Sequence, residues 1–365
     1  MKVVADDNMP LLAELFGRHG EVVALPGRAI GATAVRDADV LLVRSVTRVD
    51  AALLAGSRVR FVGSATSGCD HVDRHWLEQQ GIRFAHAPGC NAGAVVQYLL
   101  SAFCALRPHW RELVVGIVGC GAVGGRLYRL LRGLGVRCLV HDPLLPAAIP
   151  ERCDLDAVLA GADILCLHVP LTSGGDHPTF HLLDADRLAR LKSGCLLINA
   201  ARGAVVDNAA LRQRLAAGAP LTAVLDVWEG EPRLDLALSR QVAIGTPHIA
   251  GYSREGRENG TRAVHAAFCG WLGVSPPAAP AGALQPLAVA PGPDALARAI
   301  QATFDARAEH RRMAAALAAG ADIGQTFDAL RRSCPERREF GHFEVATADA
   351  ALAADLCRIG FAVAD

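Results

Sequence analysis

Near residue 120 an unbroken apolar run, Val114 to Val118, meets Gly119-x-Gly121-x-x-Gly124, and Leu127, Leu130, Leu131 and Leu134 follow at helical spacing. An apolar run that turns so tightly into an amphipathic helix reads as a buried strand feeding a crossover helix, which commits the chain to a parallel α/β sheet. Gly119 permits the tight turn, Gly121 lets backbone approach a pyrophosphate, and Gly124 lets the helix pack closely on the strand, with the helix N-terminus facing the anion. The next apolar run ends at Asp142, and 142 − 124 = 18 residues matches the ~20-residue interval to an acid that meets a ribose 2′-hydroxyl. That carboxylate repels a 2′-phosphate, and Pro143 to Pro150 holds no Arg or Lys to attract one. The pattern predicts NAD rather than NADP. A structural glycine turn beside a solvated aspartate is the plain alternative, and the order strand, turn, helix, acid argues against it.

The same rhythm runs along much of the chain. Short apolar runs at Lys2 to Ala5, Val40 to Val43 and Phe61 to Val62 alternate with helical patterns over the first ninety residues. From Val114 longer runs follow: VVGIVG, VRCLVHD, ADILCLHVP, CLLINAA, LTAVLDVW and QVAIGTPHI. The fold class expected is α/β, with two doubly wound parallel-sheet domains of Rossmann or flavodoxin-like type. Ser275 to Pro293 is rich in Pro, Ala and Gly and reads as a linker. Asp294 to Asp365 then reads as a small α+β domain, with helical spacing at Leu296, Ile300 and Phe304 and a strand at Phe343 to Val345.

Lys+Arg and Asp+Glu both number 37 among the 365 residues, so no dominant field invites nucleic acid. Arg331-Arg332 and Arg337-Arg338 are interrupted by Glu336 and Glu339 and read as a solvated, self-paired face. The eleven cysteines form no C-x-x-C pair and read as small core residues in a reducing compartment. The N-terminus carries two acids where a signal peptide would be apolar, and no run reaches the ~18 apolar residues of a membrane span. A cytoplasmic protein without membrane or nucleic-acid partners is expected.

Three late segments end apolar runs in polar residues: Asn199 to Gly203, Asp226 to Pro232 and Thr246 to Gly251. Ligands in open α/β sheets bind at the carboxyl ends of strands. Oxidising a 2-hydroxy acid needs a cation for the carboxylate, a base for the hydroxyl proton and a group that holds the base in one tautomer. Arg202, His248 and Glu231 can fill those roles in that order. Singly, each reads as a surface charge, a capped turn or a loop acid; together they form a set. Elsewhere Asp70-His71-x-Asp73-x-His75 spaces two histidines at i, i+4, but a polar helix start accounts for it and no metal site is expected. His141 and His168 end strands and read as satisfied histidines.

With these residues as they stand, INAARGAVVD, AVLDVWEGEP and TPHIAGYS resemble the D-isomer-specific 2-hydroxyacid dehydrogenases. The resemblance implies that Arg202 binds substrate carboxylate and carbonyl, that His248 is the acid/base, and that Glu231 pairs with it. LLVRSVTRV, FVGSATSGCDHVD, APGCNA and FDALRRSCPERREF extend the likeness over essentially the whole chain, to a branch acting on a phosphorylated hydroxy acid, 4-phospho-D-erythronate. It implies substrate contacts from Ser45, Thr66 and Tyr252, and Arg44, which ends an apolar strand beside Ser45, is the residue expected at the phosphate. Around NAD it implies Gly119, Gly121, Val123, Gly124, Asp142, Thr172, Ala200, Ala201, Arg202, Asp226 and Gly251. It further implies a substrate-binding domain of residues 1–90 and 257–283, a nucleotide domain of 91–256, and a dimerisation domain of 284–365, hence a homodimer. Gln97, Gly93 and Cys69 depart from that pattern. Other members of the family, such as phosphoglycerate dehydrogenase, and a non-catalytic NAD-dependent binding protein are the rival readings.

Overall fold

The computed structural model describes residues 1–145, 149–278, 282–320 and 322–364. Residues 279–281 of the expected linker, and 321 and 365 of the C-terminal segment, lie outside the described residues. The chain divides into two compact units, residues 1–91 with 253–281, and residues 92–252 with 282–365. No described helix is long and apolar enough to cross a membrane.

In the first unit β1 (Lys2–Asp6), β2 (Glu21–Leu25), β3 (Val40–Val43), β4 (Phe61–Ser64) and β5 (Arg83–His86) pair in parallel in the order β2-β1-β3-β4-β5. β3 and β4 are buried throughout, which is why they read as apolar runs rather than alternating ones. Strand periodicity sends Val4, Leu41 and Val62 to one face, against Val35, Leu54 and Leu77. It sends Val3, Leu42 and Phe61 to the other, against Phe16 and the Val264 and Phe268 of helix Arg254–Leu272. A side chain at Gly63 would collide with Val264, so glycine there lets the returning helix lie on the sheet.

In the second unit β6 (Val114–Val118), β7 (Arg137–His141), β8 (Ile164–Leu167), β9 (Cys195–Asn199), β10 (Leu221–Leu225) and β11 (Ile244–Gly245) are parallel in the order β11-β10-β9-β8-β6-β7. The order reverses between β6 and β8, where doubly wound sheets open a crevice for a ligand. The sequence reading of two doubly wound sheets is therefore met in both units.

The C-terminal segment has its own parallel sheet, β12 (Gln285–Pro286), β13 (Phe343–Ala346) and β14 (Ala362–Ala364), but not its own core. Ile300, Phe340, Phe343, Leu356 and Phe361 join one hydrophobic cluster with Leu99, Phe103, Leu127 and Leu131, and Phe327 and Leu330 join another with Leu211 and Trp228. Helix Ala92–Leu106 is thereby buried almost all round. The unusual Gln97 suits this packing: its amide donates to Thr303 Oγ1 at 2.9 Å and to the Arg338 carbonyl at 2.9 Å, which a carboxylate cannot do. Gly93 is explained likewise, since a side chain there would strike the Glu339 carboxylate.

Ile300 is 0% exposed in this shared cluster, and Ile300→Ala is expected to cost about 2–5 kcal/mol. Hydrogen exchange should then show lost protection in Ala92–Leu106 as well as in Ala295–Thr303. Loss confined to the latter helix would mean that the segment is a separate body.

Candidate active site

The loops after β9, β10 and β11 are locked to one another before any functional side chain is considered. Asn199 ends β9 with its amide divided between two tasks: Nδ2 donates to the Arg202 carbonyl at 2.8 Å, and Oδ1 accepts from Ala201 N at 3.1 Å. A side chain on Gly203 would run into the Trp228 backbone, so glycine lets the Arg202 loop touch the loop after β10. Trp228, 2% exposed, in turn donates Nε1 to the Thr246 carbonyl at 2.9 Å. Arg202, Glu231 and His248 are carried by three loops that share one tryptophan.

Asp226 fixes the last of these loops. It is 1% exposed; Oδ1 accepts from Thr246 Oγ1 at 2.7 Å and Ile249 N at 2.8 Å, and Oδ2 from Ala250 N at 2.9 Å. Its backbone carbonyl accepts from His248 N at 2.7 Å. His248 between these anchors has φ +55°, a left-handed conformation that non-glycine residues adopt at a cost and that surrounding bonds must enforce. Burial pushes the Asp226 carboxyl up, and the neighbouring His248 and the hydrogen bonds it accepts offset this only in part. The sequence reading set Asp226 against the cofactor; the contacts seen in the structure support the His248 loop.

His248 Nδ1 lies 2.6 Å from Glu231 Oε1. A carboxylate accepts, so Nδ1 carries the hydrogen and Nε2 is left as the basic nitrogen. Burial pushes the Glu231 carboxyl up, but His248, Arg331 and the Trp228 backbone outweigh it, and the group stays below its ordinary range. Glu231 is thus a carboxylate whenever His248 needs a partner.

The residues named for NAD gather at the carboxyl edge of β6 to β11. Gly119 has φ +86°, Gly124 presses on the Gly119 carbonyl, and open space lies where a Gly121 side chain would be, ahead of helix Ala122–Gly133. Asp142 Oδ2 accepts from Cys120 N at 2.8 Å, which sets the carboxylate beside the turn. His168 corrects the expectation of a satisfied histidine: its Nε2 is buried with no hydrogen-bond partner among the described residues, and burial lowers its pKa to about 3.

In the other unit Arg44 follows β3 and reaches the Asn8 carbonyl at 3.3 Å, while Thr66 Oγ1 follows β4 and lies 2.7 Å from Ser64 Oγ. Asp73 caps helix Arg74–Gln79, so His71 precedes that helix while His75 lies on it. Their i, i+4 spacing therefore never becomes one helical face. His19, His265 and Cys269 lie close together, but Cys269 Sγ is 3.5 Å from His265 Nε2 and 3.9 Å from Nδ1. It sits beside the ring rather than in front of a nitrogen lone pair.

Two arginines escaped the sequence reading. Arg337 is 6% exposed and donates to the carbonyls of Ala94 and Ala250, with its guanidinium 4.2 Å from the Phe304 ring centroid. Arg331 donates to Tyr252 Oη at 2.9 Å. Neither belongs to a solvated face, and the polar run around them gave no periodic signal of burial.

Residues 105–250 match the family model of the D-isomer specific 2-hydroxyacid dehydrogenase NAD binding domain. The erythronate-4-phosphate dehydrogenase of Cellvibrio japonicus is 48% identical over 94% of this chain and 94% of its own, and that of Klebsiella pneumoniae 46% identical over 99% and 98%. Among solved structures, the TT0316 protein from Thermus thermophilus aligns with a TM-score of 0.67 at 28% identity, covering 76% of this chain and 99% of its own. The NAD+-bound 3-phosphoglycerate dehydrogenase of Entamoeba histolytica shares the fold, with a TM-score of 0.66 at 22% identity over 75% and 95%.

Glu231→Gln removes the anion that stabilises an imidazolium at His248, so the base keeps its free form to lower pH. The acid limb of the rate profile for oxidation of a hydroxy acid should move down, with a lower plateau. A profile superimposable on that of the unaltered protein would disprove the pairing.

Proposed function

The chain belongs to the D-isomer-specific 2-hydroxyacid dehydrogenases, in their erythronate-4-phosphate dehydrogenase branch, and from that premise we propose that it oxidises 4-phospho-D-erythronate at C2. The product is 2-oxo-3-hydroxy-4-phosphobutanoate, on the route to pyridoxal phosphate. The observation that carries the reading is the 2.6 Å bond between His248 and Glu231, made by a pair that shares its tryptophan-locked loops with Arg202.

NAD, when bound, supplies the acceptor for the hydride that leaves C2 with its electron pair. His248 Nε2 takes the hydroxyl proton, and the Glu231 carboxylate stabilises the imidazolium that results. Arg202 holds the substrate carboxylate and favours the carbonyl oxygen as it develops. Arg44, Ser45, Thr66 and Tyr252 are assigned to the remainder of the substrate, with the phosphate at Arg44. Gly119, Gly121 and Gly124 let backbone approach the cofactor pyrophosphate, and Asp142 takes the ribose hydroxyls.

Two further parts of the reading concern the whole molecule. None of the eleven cysteines is in a disulfide, which supports a reducing compartment such as the cytoplasm. Residues 284–365 are assigned a role in homodimer formation, and light scattering on the full chain tests it: a monomer at micromolar concentration would remove it.

His248→Asn should keep NAD binding and lose about 10²- to 10⁴-fold in kcat, because Asn cannot accept the proton. Phosphate contacts used at the reacting carbon predict that unphosphorylated erythronate loses kcat as well as affinity, and that Arg44→Ala narrows this gap. Initial rates on 4-phospho-D-erythronate, erythronate and 3-phosphoglycerate decide the matter; equal rates with and without phosphate, or a preference for 3-phosphoglycerate, would reject the substrate.

A further inference from the structure

We propose that Arg331, contributed by the C-terminal segment, is a positioning residue for the oxidation: it supplies the donor that holds the Tyr252 hydroxyl and the cation that faces Glu231. The proposal rests on the function assigned above and goes beyond it, because the family's catalytic set consists of Arg202, Glu231 and His248 alone.

Arg331 lies in the last turn of helix Ile323–Arg332, beyond residues 105–250 that match the family's nucleotide-binding model. Phe327 and Leu330 anchor that helix in the cluster that contains Trp228, Leu211 and Leu238. Trp228 is the residue that locks the catalytic loops, so the helix that carries Arg331 is seated on the same scaffold as His248. From there Nη2 reaches Tyr252 Oη at 2.9 Å, and the guanidinium lies 5.5 Å from the centre of the Tyr252 ring. One side chain thus fixes both the hydroxyl and the plane of a residue assigned to the substrate.

The same guanidinium is felt by Glu231. Glu231 Oε1 is taken by His248, whereas Glu231 Oε2 and Arg331 Nε are both buried and make no hydrogen bond among the described residues. The charged and titratable groups around the pair are Asp226, which interacts with His248, Arg331 and Arg337, Arg331 itself, and Tyr252. Without Arg331, one imidazole would face two carboxylates, Glu231 and the buried Asp226, and no cation would remain beside Glu231, Arg337 acting on Asp226 alone. The imidazolium, protonated at Nε2 as well as at Nδ1, would then be favoured, and Nε2 would give up its proton only at higher pH. The oxidation needs Nε2 free of a proton while Nδ1 keeps its hydrogen toward Glu231. Loss of Arg331 therefore moves the acid limb of the rate profile upward, opposite in sign to Glu231→Gln.

The test compares purified full-length protein with Arg331→Met and Arg331→Lys, measuring kcat, KM and the pH profile on 4-phospho-D-erythronate, with NADH binding as the check on folding. Arg331→Met should bind NADH normally, raise KM by about tenfold, the scale of one charge-assisted hydrogen bond, and shift the acid limb up. Arg331→Lys keeps the charge without the planar fork, so it should restore the acid limb but not KM. An unchanged KM and profile in Arg331→Met, or a Lys variant indistinguishable from Met, overturns the proposal. Should Arg331→Met fail to fold, Tyr252→Phe decides: adding Arg331→Lys to it should raise KM no further, and additive effects overturn the proposal. If the unaltered protein instead oxidises a different hydroxy acid, the substrate assignment fails, and the same variants assayed on that acid still decide the role of Arg331.

Discussion

A buried carboxylate holds the loop of His248 in shape. Taking Asp226 out of water is expensive unless its oxygens are satisfied, and the chain satisfies them with Thr246 Oγ1 and the N–H groups of Ile249 and Ala250. Those bonds force residues 246–250 to wrap around one side chain, and His248 is carried through a left-handed conformation as a result. Tyr98 extends the arrangement inward, its hydroxyl 2.8 Å from Thr246 Oγ1. Since Thr246 gives its own hydrogen to Asp226, Tyr98 must be the donor. Burial, with Asp226 adding to it, pushes the Tyr98 phenol well up, so that hydrogen is not lost at any working pH. The orientation of His248 thus rests on a polar chain that begins in the core of helix Ala92–Leu106.

Much of this architecture is legible in the sequence because its signals are local. The glycine turn at Gly119 to Gly124, the acid at Asp142 and the polar ends of the late strands are each decided within a few residues. Arg202, Glu231 and His248 could be named as a set because strand ends converge in a parallel sheet whatever else the fold does. The His248–Glu231 bond follows from the chemical needs of a base. What could not be read was which long-range partner each polar residue meets.

Arg331 and Arg337 illustrate the reason. In the run RRSCPERREF, alternating charges have the composition of a solvated face, and composition carries no information on what lies opposite. Arg337 is nevertheless buried against Ala94, Ala250 and Phe304, and Arg331 against Tyr252. His168 fails in the same way: a histidine at a strand end is usually satisfied, and only three-dimensional packing leaves its Nε2 without a partner. Periodicity also suggested an independent C-terminal body, because helical spacing at Leu296, Ile300 and Phe304 reveals an apolar stripe but not whose core that stripe completes.

That last point joins the fold to the chemistry. A segment with a core of its own could be added or removed with little effect on a distant site. Residues 282–365 instead bury Ile300, Phe340 and Phe343 against helix Ala92–Leu106, and Phe327 beside Trp228. Helix Ala92–Leu106 carries Tyr98, and Trp228 joins the loops of Arg202, Glu231 and His248. The apolar contacts of the segment therefore bear on the two elements that orient His248, while Arg337 holds the Ala250 carbonyl on the far side of the same loop. Hydrophobic burial is non-directional and tolerates small shifts, whereas the Asp226 chain is directional and does not. Placing the first behind the second lets a loosely specified interface support a narrowly specified geometry, which is how a C-terminal extension can act on an active site whose acid and base it does not supply.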